Sequence, residues 1–244
     1  MIEEFLMPLE RQFDSGFGAT ANAFHEAAKA IDTEEHSFGF GLSRSRLPVL
    51  YLYRHANELY LKSILTILHR RFGPHYPRIK SDDFPVITVK GKSKKIYDVH
   101  SILNLYSEFR GMLSNNASLI KGIGKTDWTD VPDGLDEIAE LIDNADKVST
   151  MFRYPITLDT LIDAKKSSFK DIHPVAALAK THAHTDVGKS GVFIVAVEND
   201  DGEIVNTFIH DEDPMPDVYE ALKKLSNTLA SAKFGMLTEF LDYR

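Results

Sequence analysis

The 244 residues include no cysteine. That excludes disulfides, thiolate metal sites and a cysteine nucleophile, and it fits a reducing compartment. Long uncharged runs are missing too. No window of about 18 residues is free of charge, so no transmembrane helix is expected. The opening MIEEFLMPLERQF has acids where a secretory signal has cations, and it lacks an apolar h-region. The chain therefore reads as a cytoplasmic protein with no membrane contact. Positive charge is scarce, with 28 Lys and Arg against 36 Asp and Glu, for a formal net charge of −8. That balance opposes a surface coated with nucleic acid, because phosphate binding needs a positive field. It leaves room for one local basic groove. Neither an internal repeat nor a low-complexity segment is present.

Core-forming residues are plentiful, with 43% of the chain hydrophobic. The expected architecture is mainly α: one helical domain over 1–244 carrying one or two β-hairpins. Residues 2–31 read as helix, interrupted near Gly16 and Gly18, and 32–44 read as loop. Residues 45–72 form the longest expected helix, with apolar residues on every side, the mark of an element central to the fold. GPHYP at 73–77 ends it. FPVITVKGKSKKIYD, 84–98, reads as two short strands around KGKSKK or as an ordered loop. Residues 100–113 are helical by apolar spacing, and NNASLIKGIGKTDWTDVPDG is mostly loop. Residues 135–155 read as an amphipathic helix stopped by Pro155. The stretch 158–184 is ambiguous, with helical pieces at LDTLIDAKK and PVAALAKTHA. Two β-branched runs around NDDG predict a hairpin near 191–211, and a stripe of Leu222, Leu225, Leu229, Met236 and Phe240 predicts a final helix over 216–243.

The segment LYRHANELYLKS, 52–63, sets four polar side chains inside the central helix. Arg54, Glu58 and Lys62 are four residues apart and share one face, so Arg54 can reach Glu58 and Glu58 can reach Lys62. His55 lies on the neighbouring face. One reading is a solvated face whose pairs contribute little. The other is a partly buried polar seam against another helix or subunit, with Arg54 inside and Lys62 at its edge. An arginine fork suits phosphate, and an adjacent imidazole titrates near neutrality, a pairing fit for an RNA phosphodiester. MFRYP, 151–155, adds Arg153 between Phe152 and Tyr154, a setting that argues against an open polar face.

YRHANELYLKSIL, the later FRYP and VHSILNLY with His100 at its head together resemble bacterial HEPN-like helical proteins over roughly residues 45–155. The resemblance implies an antiparallel bundle, often a homodimer, and a metal-independent ribonuclease or RNA-binding component of a toxin or antiphage system with no cofactor. An antitoxin or defence protein would be its partner. Active relatives carry an arginine followed four to six residues later by a histidine. Arg54 and Arg153 have none at that distance, and Gly73 and Pro74 interrupt the pair Arg70 and His75. The implied catalytic group is then Arg54, His55 and Glu58 with Arg153, and Lys62, His100 and Tyr154 would contact RNA or line an interface. The alternative is a non-catalytic interaction module that uses the same residues as glue.

Other motifs point to plainer roles. THAHTD, 181–186, offers His182, His184 and Asp186 in a metallo-hydrolase-like order, but Val187 stands where a further histidine belongs and no later ligands follow, so no metal is expected. GIGKTD, 122–127, has Leu119 where a phosphate loop needs its first glycine, and reads as plain loop. Trp128 reads as a packing residue. KGKSKK, 90–95, is a basic hairpin tip that is either simply solvated or a guide for an RNA backbone.

Overall fold

The computed structural model describes residues 7–32, 46–73, 84–147, 149–154, 156–157, 159–183, 193–211 and 214–241. These are mainly helical, with two small antiparallel sheets. The helices are α1 (Phe17–Ile31), α2 (Leu47–Phe72), α3 (Ile102–Asn115), α4 (Ala117–Ile123), α5 (Leu135–Ala145), α6 (Thr160–Lys166), α7 (Pro174–Ala183) and α8 (Pro216–Leu241). Strands β1 (Val86–Val89) and β2 (Lys92–Lys95) form one hairpin; β3 (Phe169–Asp171), β4 (Ile194–Glu198) and β5 (Ile204–His210) form the second sheet in the order β3-β5-β4. No described helix is long and apolar enough to cross a membrane.

Helix α2 is central because it is apolar all round. α1, α3 and α8 pack against it, and α5 bridges α3 and α8. Leu61, Ile64, Leu65 and Leu68 of α2 meet a core shared with Leu105 of α3, Ile142 of α5 and Leu222, Leu225 and Leu229 of α8. Each such side chain contributes roughly 1.5–3 kcal/mol by leaving water. Pro48 lies in the first turn of α2, where a missing amide costs nothing. Arg70 and Arg71 occupy its last turn, where positive charge meets the negative end of the helix dipole.

Several boundaries differ from expectation. The first helix is interrupted at Gly16, as expected, but the described residues before the break are not α-helical: a turn of 3-10 helix spans Leu9–Arg11, then Ser15 (φ 57°) and Gly16 (φ 79°) adopt left-handed conformations. The Asp14 carboxylate caps the new start by accepting from the amides of Gly16 (3.1 Å) and Gly18 (2.8 Å). A Cβ at Gly18 would force the ends of the Lys233 side chain of α8 and of Asp14 to shift, disturbing this cap. Residues 84–98 form a true hairpin, with Lys90 and Gly91 both at positive φ in the tight turn. A short helix, α4, stands where loop was expected, anchored by fully buried Ile120. Helix α5 stops at Ala145, ten residues before Pro155, because Asp146 turns its carboxylate onto the amides of Thr150 (2.8 Å) and Met151 (3.0 Å). The hairpin at 191–211 gains a third strand, β3, whose Phe169 pairs with His210.

Candidate functional site

Arg54, Glu58 and Lys62 project from one face of α2 and are only 2%, 2% and 3% exposed. Isolated charges there would be very unfavourable, so each must be paired. Arg54 donates from Nε to Asp146 Oδ2 (2.9 Å), from Nη1 to Glu58 Oε2, and from Nη2 to the His100 carbonyl. Lys62 Nζ donates to Glu58 Oε1 (2.8 Å) and to the Tyr97 carbonyl (3.3 Å). Lys62, expected at the edge of the seam, is as buried as Arg54, because the turn over Ile96–Asp98 covers it. Two cations and two carboxylates thus close a network from α2 to the chain before α3 and the turn after α5. Burial by itself raises the Glu58 carboxyl, but Lys62 and Arg54, with hydrogen bonds from Lys62 and His100, outweigh it and bring the group down to about 2.

The network reaches solvent at His100. Its Nδ1 lies 2.9 Å from Glu58 Oε1, while the side chain is 53% exposed. A buried, ionised carboxylate on Nδ1 favours the tautomer with its proton there and leaves Nε2 as acceptor. That is the geometry of an oriented acid–base imidazole.

His55, the other histidine of interest, belongs to a different environment. It stacks on Tyr51 (5.8 Å between centroids, 4° between planes) and meets the Phe24 ring edge-on at 4.4 Å. Its Nδ1 is buried without a hydrogen-bond partner. Burial lowers its pKa; Glu58 opposes this, and Arg54, Arg153 and Lys62 add to it. His55 is therefore held neutral in an aromatic clamp.

Arg153 and Tyr154 sit outside the network. Arg153 was expected to avoid an open face, yet it is exposed. The cause is the early end of α5: the segment is a turn that buries Met151 and Phe152 and sends the next two side chains outward. Lys166, itself 3% exposed, pins that turn by donating to the carbonyls of Met151 (3.2 Å) and Tyr154 (2.9 Å). The turn borders a cleft of about 660 Å³ walled by Asp146, Met151, Tyr154, Ile156 and Ile162. Asp146 and the Tyr97 carbonyl are the members that sequence reasoning missed. The only sequence signal for Asp146 was an acid followed by Ser149 and Thr150 at a helix end.

The remaining motifs resolve simply. The amides of Lys125 (3.0 Å) and Thr126 (3.3 Å) in the GIGKTD loop donate to the Glu239 carboxylate, which also takes the Thr126 hydroxyl and Trp128 Nε1 (3.0 Å). A carboxylate of α8 occupies the donors a phosphate would use. Trp128 packs over Gly235, where any Cβ would strike its ring. Of THAHTD, His184 and Asp186 lie outside the described residues, as does His75 beyond α2. Arg70 is engaged with the Phe13 carbonyl and Ser15 Oγ (2.9 Å). Among the described residues, no cluster of three His, Asp or Glu could hold a metal ion.

A second polar seam lies on the opposite side of α2. His25 Nδ1 and Ser226 Oγ are 2.7 Å apart, Asn57 donates to the Leu222 carbonyl (3.0 Å), and Tyr60 donates to Asn22 (2.8 Å). The rings of Tyr53 and Tyr60 flank His25, and burial lowers its pKa against a rise from Glu26. No family model, curated protein or solved structure matches the chain.

Proposed function

We propose that this is a HEPN-like, RNA-binding protein able to cleave RNA without a metal, with His100 as the group that meets the substrate. The observation carrying this reading is the half-exposed imidazole held by the buried Glu58 carboxylate at 2.9 Å. His100 Nε2 takes the proton of a ribose 2′-hydroxyl, and the 2′-oxygen attacks the adjacent phosphorus. The P–O5′ bond breaks, the leaving oxygen takes a proton from solvent water and the protonated His100 returns its proton to solvent, leaving a 2′,3′-cyclic phosphate and a 5′-hydroxyl. Glu58 orients the ring, and Arg54 and Lys62 keep Glu58 ionised. Arg54 then acts as a positioning residue, since its Nε, Nη1 and Nη2 donate inward to Asp146, Glu58 and the His100 carbonyl. A homodimer and an antitoxin or defence partner belong to the same reading.

A non-catalytic interaction module is the second reading. It is favoured by the complete internal pairing of Arg54 and Lys62, which needs no ligand. Single-stranded RNA incubated with the protein in EDTA separates the two. The first reading expects slow cleavage with 2′,3′-cyclic ends. Intact RNA after long incubation with folded protein would leave only the second.

A further inference from the structure

Strand β2 and its turn carry Lys90, Lys92, Lys94 and Lys95, all exposed, and no acid falls between Phe84 and Tyr97. On a chain of net charge −8, this is a concentrated positive patch. Lysines on an edge strand also discourage strand-to-strand aggregation, and that role alone would explain a lysine hairpin in isolation. The hairpin is not isolated. Lys95 Nζ lies 5.6 Å from the centroid of the Tyr97 ring, and Tyr97 is 42% exposed. Tyr97 stands edge-on to Phe84 at 5.8 Å, which fixes one side of the ring against the bundle. The Tyr97 carbonyl and Glu58 Oε1 share Lys62 Nζ, and the same Glu58 oxygen holds His100. The lysine strand, the exposed aromatic ring and the half-exposed imidazole therefore leave the fold next to one another.

We infer that the β1–β2 hairpin and Tyr97 form a docking surface for single-stranded RNA that leads the strand to His100. Lysines neutralise successive phosphates, and a base stacks on Tyr97; neither contact reads sequence. The hairpin base is anchored in the core, since Ile87 and Ile96 are 2% and 0% exposed. An anionic lipid surface would also attract lysines, but it would not need a ring placed beside an acid–base group.

This inference rests on the RNA reading above, and one experiment separates their failures. Binding of a fluorescent oligouridylate is measured across a potassium chloride series for the wild type, for the variant with Lys90, Lys92, Lys94 and Lys95 all changed to Gln, and for Tyr97→Ala. Phosphatidylserine vesicles serve as a parallel probe. The wild type should show a log–log salt slope near about −3, as expected for about four single-strand phosphates. The lysine variant, with circular dichroism unchanged, should lose most of that slope and at least about tenfold in low-salt affinity. Tyr97→Ala should bind about 5- to 100-fold more weakly with the slope retained. Unchanged RNA binding by the lysine variant would overturn the docking surface while leaving cleavage at His100 untouched. Lysine-dependent binding without cleavage by the wild type would uphold the surface and reject the proton-transfer reading. Absence of salt-dependent RNA binding, or tighter binding to vesicles than to RNA, would overturn the inference.

Discussion

Helix α2 carries polar residues on two sides, and the two sides solve burial differently. The side facing α3 and the start of the turn after α5 holds full charges: Arg54, Glu58 and Lys62, closed by Asp146. The side facing α1 and α8 holds neutral groups: His25 with Ser226, Asn57 with a carbonyl, Tyr60 with Asn22. The neutral seam is sealed, with His25 6% and Ser226 0% exposed. The charged seam has an exit, because His100 is bonded to its central carboxylate and half open to solvent. A sealed neutral seam fixes how helices pack. A charged seam with one exposed member can also hold an imidazole in a chosen orientation and beside a fixed charge. Burial plus an outlet, rather than polarity alone, distinguishes the charged side from the neutral one.

The comparison breaks most visibly at Glu58. Glu58→Gln strands Arg54 and Lys62 in the interior and should cost about 3–5 kcal/mol in urea unfolding. Arg54→Ala and Lys62→Ala should be similarly severe and similar to each other, since both are buried. Losses below about 1 kcal/mol would mean that water reaches the face.

Acid should weaken the charged seam next. Glu58 is depressed in the folded state, from 4.5 to about 2. Its contribution is therefore complete above its unfolded value and disappears as pH falls toward the folded one. That amounts to roughly 3 kcal/mol lost between about pH 4.5 and 2. Glu58→Gln should flatten this limb of the stability curve, and a limb of unaltered steepness would reject the assignment.

The neutral seam should respond more mildly. Ser226→Ala removes one partner of a buried hydrogen bond and should cost about 1–3 kcal/mol, read from the shift in urea midpoint. Burial lowers the pKa of His25, so its neutral form is favoured in the fold. This contribution is intact above the ordinary histidine value of 6.5 and is lost as pH drops below it. His25→Asn should reduce that early acid sensitivity, leaving the share contributed by the similarly lowered His55, and should keep the later Glu58 limb in place. His100→Ala should have the smallest effect on stability, within about 1 kcal/mol, because its side of the pair is open to solvent.

Much of this was readable from spacing, and what was not depended on distance along the chain. The length and centrality of α2 follow from an apolar run without a breaker between Pro48 and Gly73. The Arg54–Glu58 and Glu58–Lys62 pairs follow from positions four apart on one helix. Asp146 is 92 residues from Arg54, and no periodicity in one element reports a partner in another. The same carboxylate ended α5 early by competing for Thr150 and Met151 amides, which moved Arg153 to the surface. β3 escaped notice because FKD is three residues long and takes its strand character only from β5. His55 and His100 were both visible as histidines near an acid; only packing shows that His55 faces aromatic rings and His100 faces Glu58.

The most direct test sets the two seams against each other in one experiment: His100→Ala and His25→Ala, each measured for RNA cleavage in EDTA per folded molecule and for unfolding free energy. The account predicts opposite outcomes. His100→Ala should keep its stability and lose about 10²–10⁴-fold in rate. His25→Ala should lose stability and keep its rate per folded molecule. A His100→Ala protein that cleaves RNA as fast as the wild type would contradict the central claim.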